Sequence, residues 1–137
     1  MSLVVDVSIA LPWNIRSQAT PLSDAASSVV ISHGGSVPFH FHLEHGNALL
    51  MLERRGRISK ADVDAAIADM IDMDLAIDTE PLSEIERSVL PLARRHNLST
   101  YDAAYLELAL RLGLPLATRD LALANAARDA GAALFSP

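Results

Sequence analysis

At 137 residues, half of them hydrophobic, the chain has room for one domain around a single core, and six glycines and seven prolines are too few for a disordered or fibrous protein. A net charge of −6 and an isoelectric point near 5.2 argue against a broadly basic surface that grips nucleic acid through many phosphates. With no cysteine, a disulfide framework and thiolate metal sites are excluded, so any metal must be held by oxygen or imidazole.

The opening MSLVVDVSIALPW has no basic stretch and meets Asp6 after three apolar residues. Nowhere does the chain offer the roughly 18 uncharged apolar residues of a membrane span. The expectation is a soluble, cytoplasmic protein. Leu3–Val5 reads as a first strand buried on both faces, and residues 17 to 32 as a Ser-rich helix. Val37–Phe41 reads as a second strand. After Ser59, the spacing of Val63, Ala66, Ile67, Met70 and Ile71 predicts an amphipathic helix. Leu75–Ile77 is a third short apolar run. Ser83 and Glu86 form a capping-box signature, and Pro91 predicts a kink or two short helices between 84 and 96. From Asp102 a largely apolar helix follows, with Glu107 and Arg111 as an i,i+4 pair marking a solvent-facing line. Leu114–Ala117 and Ala132–Phe135 complete the strands. Gly56, Gly113 and Gly131 each fall just past a helical stretch, where a helix is commonly closed by glycine. Strands alternating with helices predict a single α/β domain over residues 1–137, with about five parallel strands and helices on both faces.

In such a sheet the strand C-termini and the following helix N-termini share one edge, where ligands usually bind. Asp6 follows LVV, Glu44 follows the run ending at Phe41, Asp102 lies in the first turn of its helix, and Asp120 follows PLAT, so all four point to that edge. Glu44, Asp102 and Asp120 can each be read as first-turn acids favoured by a helix dipole. Asp6 stands at the mouth of the first strand, where no helix pattern demands it. Four carboxylates in one cleft repel one another unless a cation neutralises them, and oxygen-only ligation points to Mg²⁺ or Mn²⁺.

The blocks VVDVSIALPW, LEHGNALLMLERRGRIS, LARRHNLSTYDAAYLELALRLGLPLATRD and AARDAGAALF resemble, in this order, the PIN-domain ribonucleases of the VapC toxin type. The resemblance implies a PIN-like domain, a Mg²⁺-dependent endoribonuclease, a homodimer and a VapB-like antitoxin. Carried over position by position, Asp6, Glu44, Asp102 and Asp120 match the acidic residues of that family, and Asp6 with Asp102 match the pair most firmly tied to Mg²⁺. Ser8 and Asn47 match frequent polar neighbours, though a helix cap or a surface amide explains either. A carboxylate-held metal polarises the scissile phosphate and generates hydroxide, so no nucleophilic side chain is needed. Arg54, Arg55, Arg57, Arg94, Arg95 and Arg119 are candidates to meet RNA phosphates; Arg54 and Arg55 also suit a helix C-terminus. The Met- and Ile-rich stretch 59–73 is a candidate to be covered by self-association.

The chain departs from that pattern at FHFHLEHGN, where His40, His42 and His45 crowd Glu44, and where Gly46 weakens a helix start. Strand alternation puts His40 and His42 on one face; a transition metal and a packing role are both open. Two other functions remain: a catalytically weakened PIN domain that only binds a partner, and a receiver-like phosphoacceptor domain using Asp6, Asp78 and Thr118. For the latter the expected cation is missing, since the only lysine, Lys60, lies far from the last strand.

Overall fold

The computed structural model describes residues 2–80 and 82–137. Short strands alternate with helices in the order β1 (Leu3–Val5), α1 (Val7–Asn14), a single 3₁₀ turn (Arg16–Gln18), α2 (Pro21–His33), β2 (Gly35–Val37), α3 (Phe41–Arg54), α4 (Lys60–Asp72), β3 (Ala76–Ile77), α5 (Leu82–His96), α6 (Thr100–Leu112), β4 (Leu116–Ala117) and α7 (Leu121–Ala130). The strands form one parallel sheet of order β3-β2-β1-β4, flanked by helices. Its register sets Val4 opposite Ser36 on one side and Leu116 on the other. β1 is wholly buried because it has a partner strand on each side and helices over it.

Four strands form rather than about five. The run 132–135 lies along β4 through two hydrogen bonds, Leu116 N–H to Ala133 O and Phe135 N–H to Leu116 O, each 2.9 Å, and reaches only an isolated bridge at Leu134. The second apolar run also shifts. β2 ends at Val37, a turn covers 38–40, and Phe41 already starts α3, so His40 and His42 do not share a strand face.

The segment after Asp6 is a helix, contrary to the sequence reading. α1 is apolar on most sides because it is packed between α2 and α3, and such a helix carries little amphipathic signal. Trp13 ties it to α2 by donating from Nε1 to Ser23 O at 2.8 Å. α4 begins as the spacing predicts: Ser59 and Asp62 form a reciprocal capping box. At α5 the helix already runs from Leu82, so Ser83 lies in its first turn instead of capping it, and it continues through Pro91 as one element. Gly113 and Gly131 close α6 and α7 with φ of 64° and 84°, the left-handed conformation that glycine adopts without a Cβ clash.

Tyr105, Phe41, Leu3, Ile9, Met70 and Leu116 anchor the main core, and a smaller cluster of Ile15, Leu49, Val63 and Ala66 packs α3 onto α4. Glu107 does not face solvent. It is 8% exposed, receives hydrogen bonds from Arg111 Nε (2.8 Å) and Nη2 (3.1 Å), and is covered where Arg111 reaches Asp78 at 2.6 Å. Among the described residues no helix is long and apolar enough to cross a membrane.

Candidate active site

The C-terminal ends of β1 and β4 and the N-termini of α1, α3, α6 and α7 carry the four acids. Asp6 leaves β1 and becomes the N-cap of α1, accepting from Ile9 N–H at 3.3 Å. The same Oδ1 accepts from Ser8 Oγ at 2.6 Å, and Oδ2 accepts from the hydroxyl of Thr118, which β4 delivers beside it. Ser8 Oγ in turn accepts from Arg119 N–H (2.8 Å), and Thr118 Oγ1 from Asp120 N–H (3.0 Å), so the β1 and β4 exits are laced together around one carboxylate. Asp120 is itself the N-cap of α7, accepting from Leu123 N–H at 3.0 Å. Asp102 occupies the first turn of α6, where Ser99 Oγ caps the helix by accepting from Asp102 N–H at 3.1 Å. Asp6 and Asp120 cap helices, Glu44 and Asp102 lie in first turns, and all four sit at the same edge of the sheet.

Their electrostatics are coupled. Burial is the largest influence on Asp6, followed by its hydrogen bonds and the Asp120 charge, and the balance pushes its carboxyl up to about 6. Asp102 is also raised, by partial burial and by the charges of Asp120 and Glu44. Glu44 departs from the expectation of mutual elevation. Burial lifts it, but hydrogen bonds from His40 and Tyr105, with the His40 charge, outweigh that and leave it below the ordinary value. The contacts are Tyr105 Oη–H to Oε1 at 2.7 Å and His40 Nε2 to Oε1 at 3.1 Å.

His40, His42 and His45 do not converge. His40 is buried against Tyr101 and Tyr105, and its Nε2 also meets Tyr101 O at 3.1 Å. His45 faces the core, stacks on Phe41, and is held well below the usual imidazole value, at about 4, by burial and the nearby His42. The packing role thus holds for two of the three. Asn47 lies one turn beyond Glu44 and is exposed. Arg119 is exposed, with Nη1 3.5 Å from Gln18 O. Arg54 and Arg55 lie at the far end of α3 from Glu44, about 15 Å along the axis at ~1.5 Å per residue. Asp78 leaves β3, two strands away from β1, and pairs with Arg111, so it does not join Asp6 as the phosphoacceptor reading requires.

Tyr105 and His40 were not legible as partners of Glu44. The only hint is that Tyr105 lies three residues beyond Asp102, on the same face of its helix.

Among the described residues, no Lys or Arg pairs with Asp6, Asp102 or Asp120, and no group of three or more acid or histidine side chains is arranged to grip a metal by itself. The donor set nonetheless fits a hard divalent cation. Mg²⁺ usually keeps several waters and binds through one or two carboxylates, and a buried carboxylate raised by desolvation gains most from such a neighbour.

No family model matches the sequence. The chain is 28% identical to Ribonuclease VapC3 of Pyrobaculum aerophilum over 126 residues, 91% of this chain and 94% of the relative. Among solved structures it matches PAE2754 from Pyrobaculum aerophilum with a TM-score of 0.71 at 23% identity, covering 92% of this chain and 87% of that one. It also matches FitAcB from Neisseria gonorrhoeae with a TM-score of 0.65 at 17% identity, covering 98% and 97%. Nearly end to end, in sequence and in fold, the chain resembles the PIN-domain ribonucleases of the VapC type.

Proposed function

We propose that this protein is an endoribonuclease toxin of a type II toxin–antitoxin pair, dependent on Mg²⁺ with Mn²⁺ as a substitute. The observation that carries the reading is a buried carboxylate, Asp6, with no cationic partner among the described residues, at the edge it shares with Asp102, Asp120 and Glu44. The likeness to a relative named Ribonuclease VapC3 supports the reaction class.

Asp6 and Asp102 would hold the ion, with Asp120 and Glu44 as further oxygen donors. When bound, the ion polarises the scissile phosphodiester and lowers the pKa of water for attack. Ser8 and Thr118 fix both oxygens of Asp6, so that carboxylate is aimed before any ligand arrives. Tyr105 and His40 hold Glu44 ionised and in one position. Arg119, next to Asp120 in sequence and exposed, would meet an RNA phosphate.

An acidic site of this kind is silenced by a cation, and the partner proposed is a VapB-like antitoxin that sets an arginine among the carboxylates. The exposed Ile67, Ile71 and Ile77 offer an apolar surface for a homodimer. A cytoplasmic setting follows from an intracellular RNA substrate.

The test is cleavage of total cellular RNA by purified protein. Chelator should abolish it, Mg²⁺ or Mn²⁺ should restore it, and co-purified antitoxin should suppress it. Full cleavage in excess chelator overturns the metal assignment. A folded protein that cleaves no RNA under any of these conditions leaves the weakened, partner-binding PIN domain as the reading.

A further inference from the structure

Beside the acids, between α5 and the start of α6, lies a pocket of about 230 Å³ lined by Phe39, His40, Glu86, Leu90 and Tyr101. It is smaller than the roughly 300 Å³ at which sites for drug-sized ligands begin, and is suited to one flat ring system. His40 is 5% exposed and packs between two aromatic side chains that are not buried, Phe39 at 55% and Tyr101 at 61%. Both stand steeply to the His40 ring, at 73° and 63°, with centroids 5.2 and 5.5 Å away. Exposed aromatic rings lose hydrophobic free energy to water, and a pair raised around one buried ring needs a reason.

A second observation concerns His40 itself. Its Nε2 faces two acceptors, Tyr101 O and Glu44 Oε1, both at 3.1 Å, so in the neutral ring Nε2 carries the hydrogen and Nδ1 is left with a lone pair. That Nδ1 is buried and has no hydrogen-bond partner among the described residues. One ring therefore touches the acid cluster through Nε2 and forms part of the pocket wall.

We propose that this pocket receives one unpaired nucleobase of the RNA substrate, stacked on Phe39 and Tyr101. Single-stranded RNA is recognised in this way, by splayed bases on aromatic faces and hydrogen bonds to their edges. The inference rests on the ribonuclease reading and gives it a substrate feature: the phosphodiester presented to the acids belongs to an unpaired nucleotide next to the one held in the pocket. Glu86, at the rim, disfavours a phosphate there and accepts from a base amino group instead.

The experiment uses the full chain carrying Asp6→Asn, in chelator, so that RNA is bound and not cut. Short single-stranded oligoribonucleotides and a matching abasic strand are the probes. The base-bearing strand should bind more tightly than the abasic one. Phe39→Leu and Tyr101→Leu should each weaken it by about 5- to 150-fold and leave the abasic strand unaffected. Phe39→Tyr and Tyr101→Phe, which keep the ring, should bind as the parent does. In the cleaving protein the leucine variants should lower kcat/KM by a similar factor. Cleavage with unchanged affinity and kcat/KM in the leucine variants overturns the pocket and leaves the ribonuclease reading standing. Absence of both binding and cleavage in the parent overturns both. If the leucine variants change the oligomeric mass and not RNA affinity, the rings belong to a protein interface and the proposal fails.

Discussion

Asp6→Asn separates the electrostatic cost of this site from its packing. The substitution keeps the shape of the side chain, and Oδ1 continues to accept from Ser8 and Ile9. It changes one contact, since the new Nδ2 meets the Thr118 hydroxyl that donates to Asp6 in the parent. Burial raises the Asp6 carboxyl from 3.8 to about 6, which costs the ionised folded protein about 3 kcal/mol at pH values above both. Well below pH 3.8 the group is protonated in both folded and unfolded chains and costs nothing. Between about 4 and about 6 the folded protein retains a proton that the unfolded chain has released, so stability falls as pH rises. Above that window the full cost is present. With ~1 kcal/mol lost at Thr118 at every pH, the metal-free variant should be more stable than the parent by about 2 kcal/mol at pH 8, and less stable than it by up to ~1 kcal/mol at pH 4. Urea unfolding in chelator across this range measures the difference. Millimolar Mg²⁺ should reverse the order, because only the parent gains binding free energy from the ion, and RNA cleavage by the variant should fall by orders of magnitude. A stability difference that is flat with pH, or a variant less stable than the parent at pH 8 in chelator, would refute the reasoning.

Tyr105→Phe removes the 2.7 Å hydrogen bond to Glu44 from a side chain that is 1% exposed; it should cost about 2 kcal/mol in urea unfolding and move the Glu44 titration upward by NMR, and an unmoved titration counts against the contact. Arg111→Ala strips the buried Glu107 of its partner and should destabilise by about 1–3 kcal/mol, with most of the loss recovered in the Arg111→Ala, Glu107→Gln double variant; a single variant as stable as the parent contradicts this. Gly35→Ala places a Cβ 2.9 Å from Leu75 Cδ2 and 3.1 Å from Val30 Cγ2, an overpacking expected to cost ~1–3 kcal/mol. Gly46→Ala meets nothing within 4 Å on α3 and should stabilise by up to ~1 kcal/mol; thermal melts that rank the two variants the other way would refute the packing argument.

The parts readable from sequence are those with a local signal. The run LVV with Asp6 behind it, the Ser59–Asp62 cap, the glycines that close α6 and α7, and the placement of four acids at one sheet edge all follow from propensity and from the geometry of parallel strands. Other features depend on what packs where. α1 was invisible because a helix enclosed by neighbours has no polar stripe to reveal its period, and 132–135 reads like a strand yet gains only one bridge at the sheet margin. The acids divide in the same way. Their chemistry and common edge could be inferred from residue type and position, but the raised carboxyl of Asp6 and the lowered one of Glu44 could not. Those opposite shifts arise because α6 brings Tyr105, and the turn before α3 brings His40, against Glu44, while Asp6 is sealed between β1 and β4, hydrogen-bonded only by hydroxyls and an amide and near the Asp120 charge. Desolvation and long-range hydrogen bonds act between residues far apart in the chain, so they take their values only once the tertiary structure has formed.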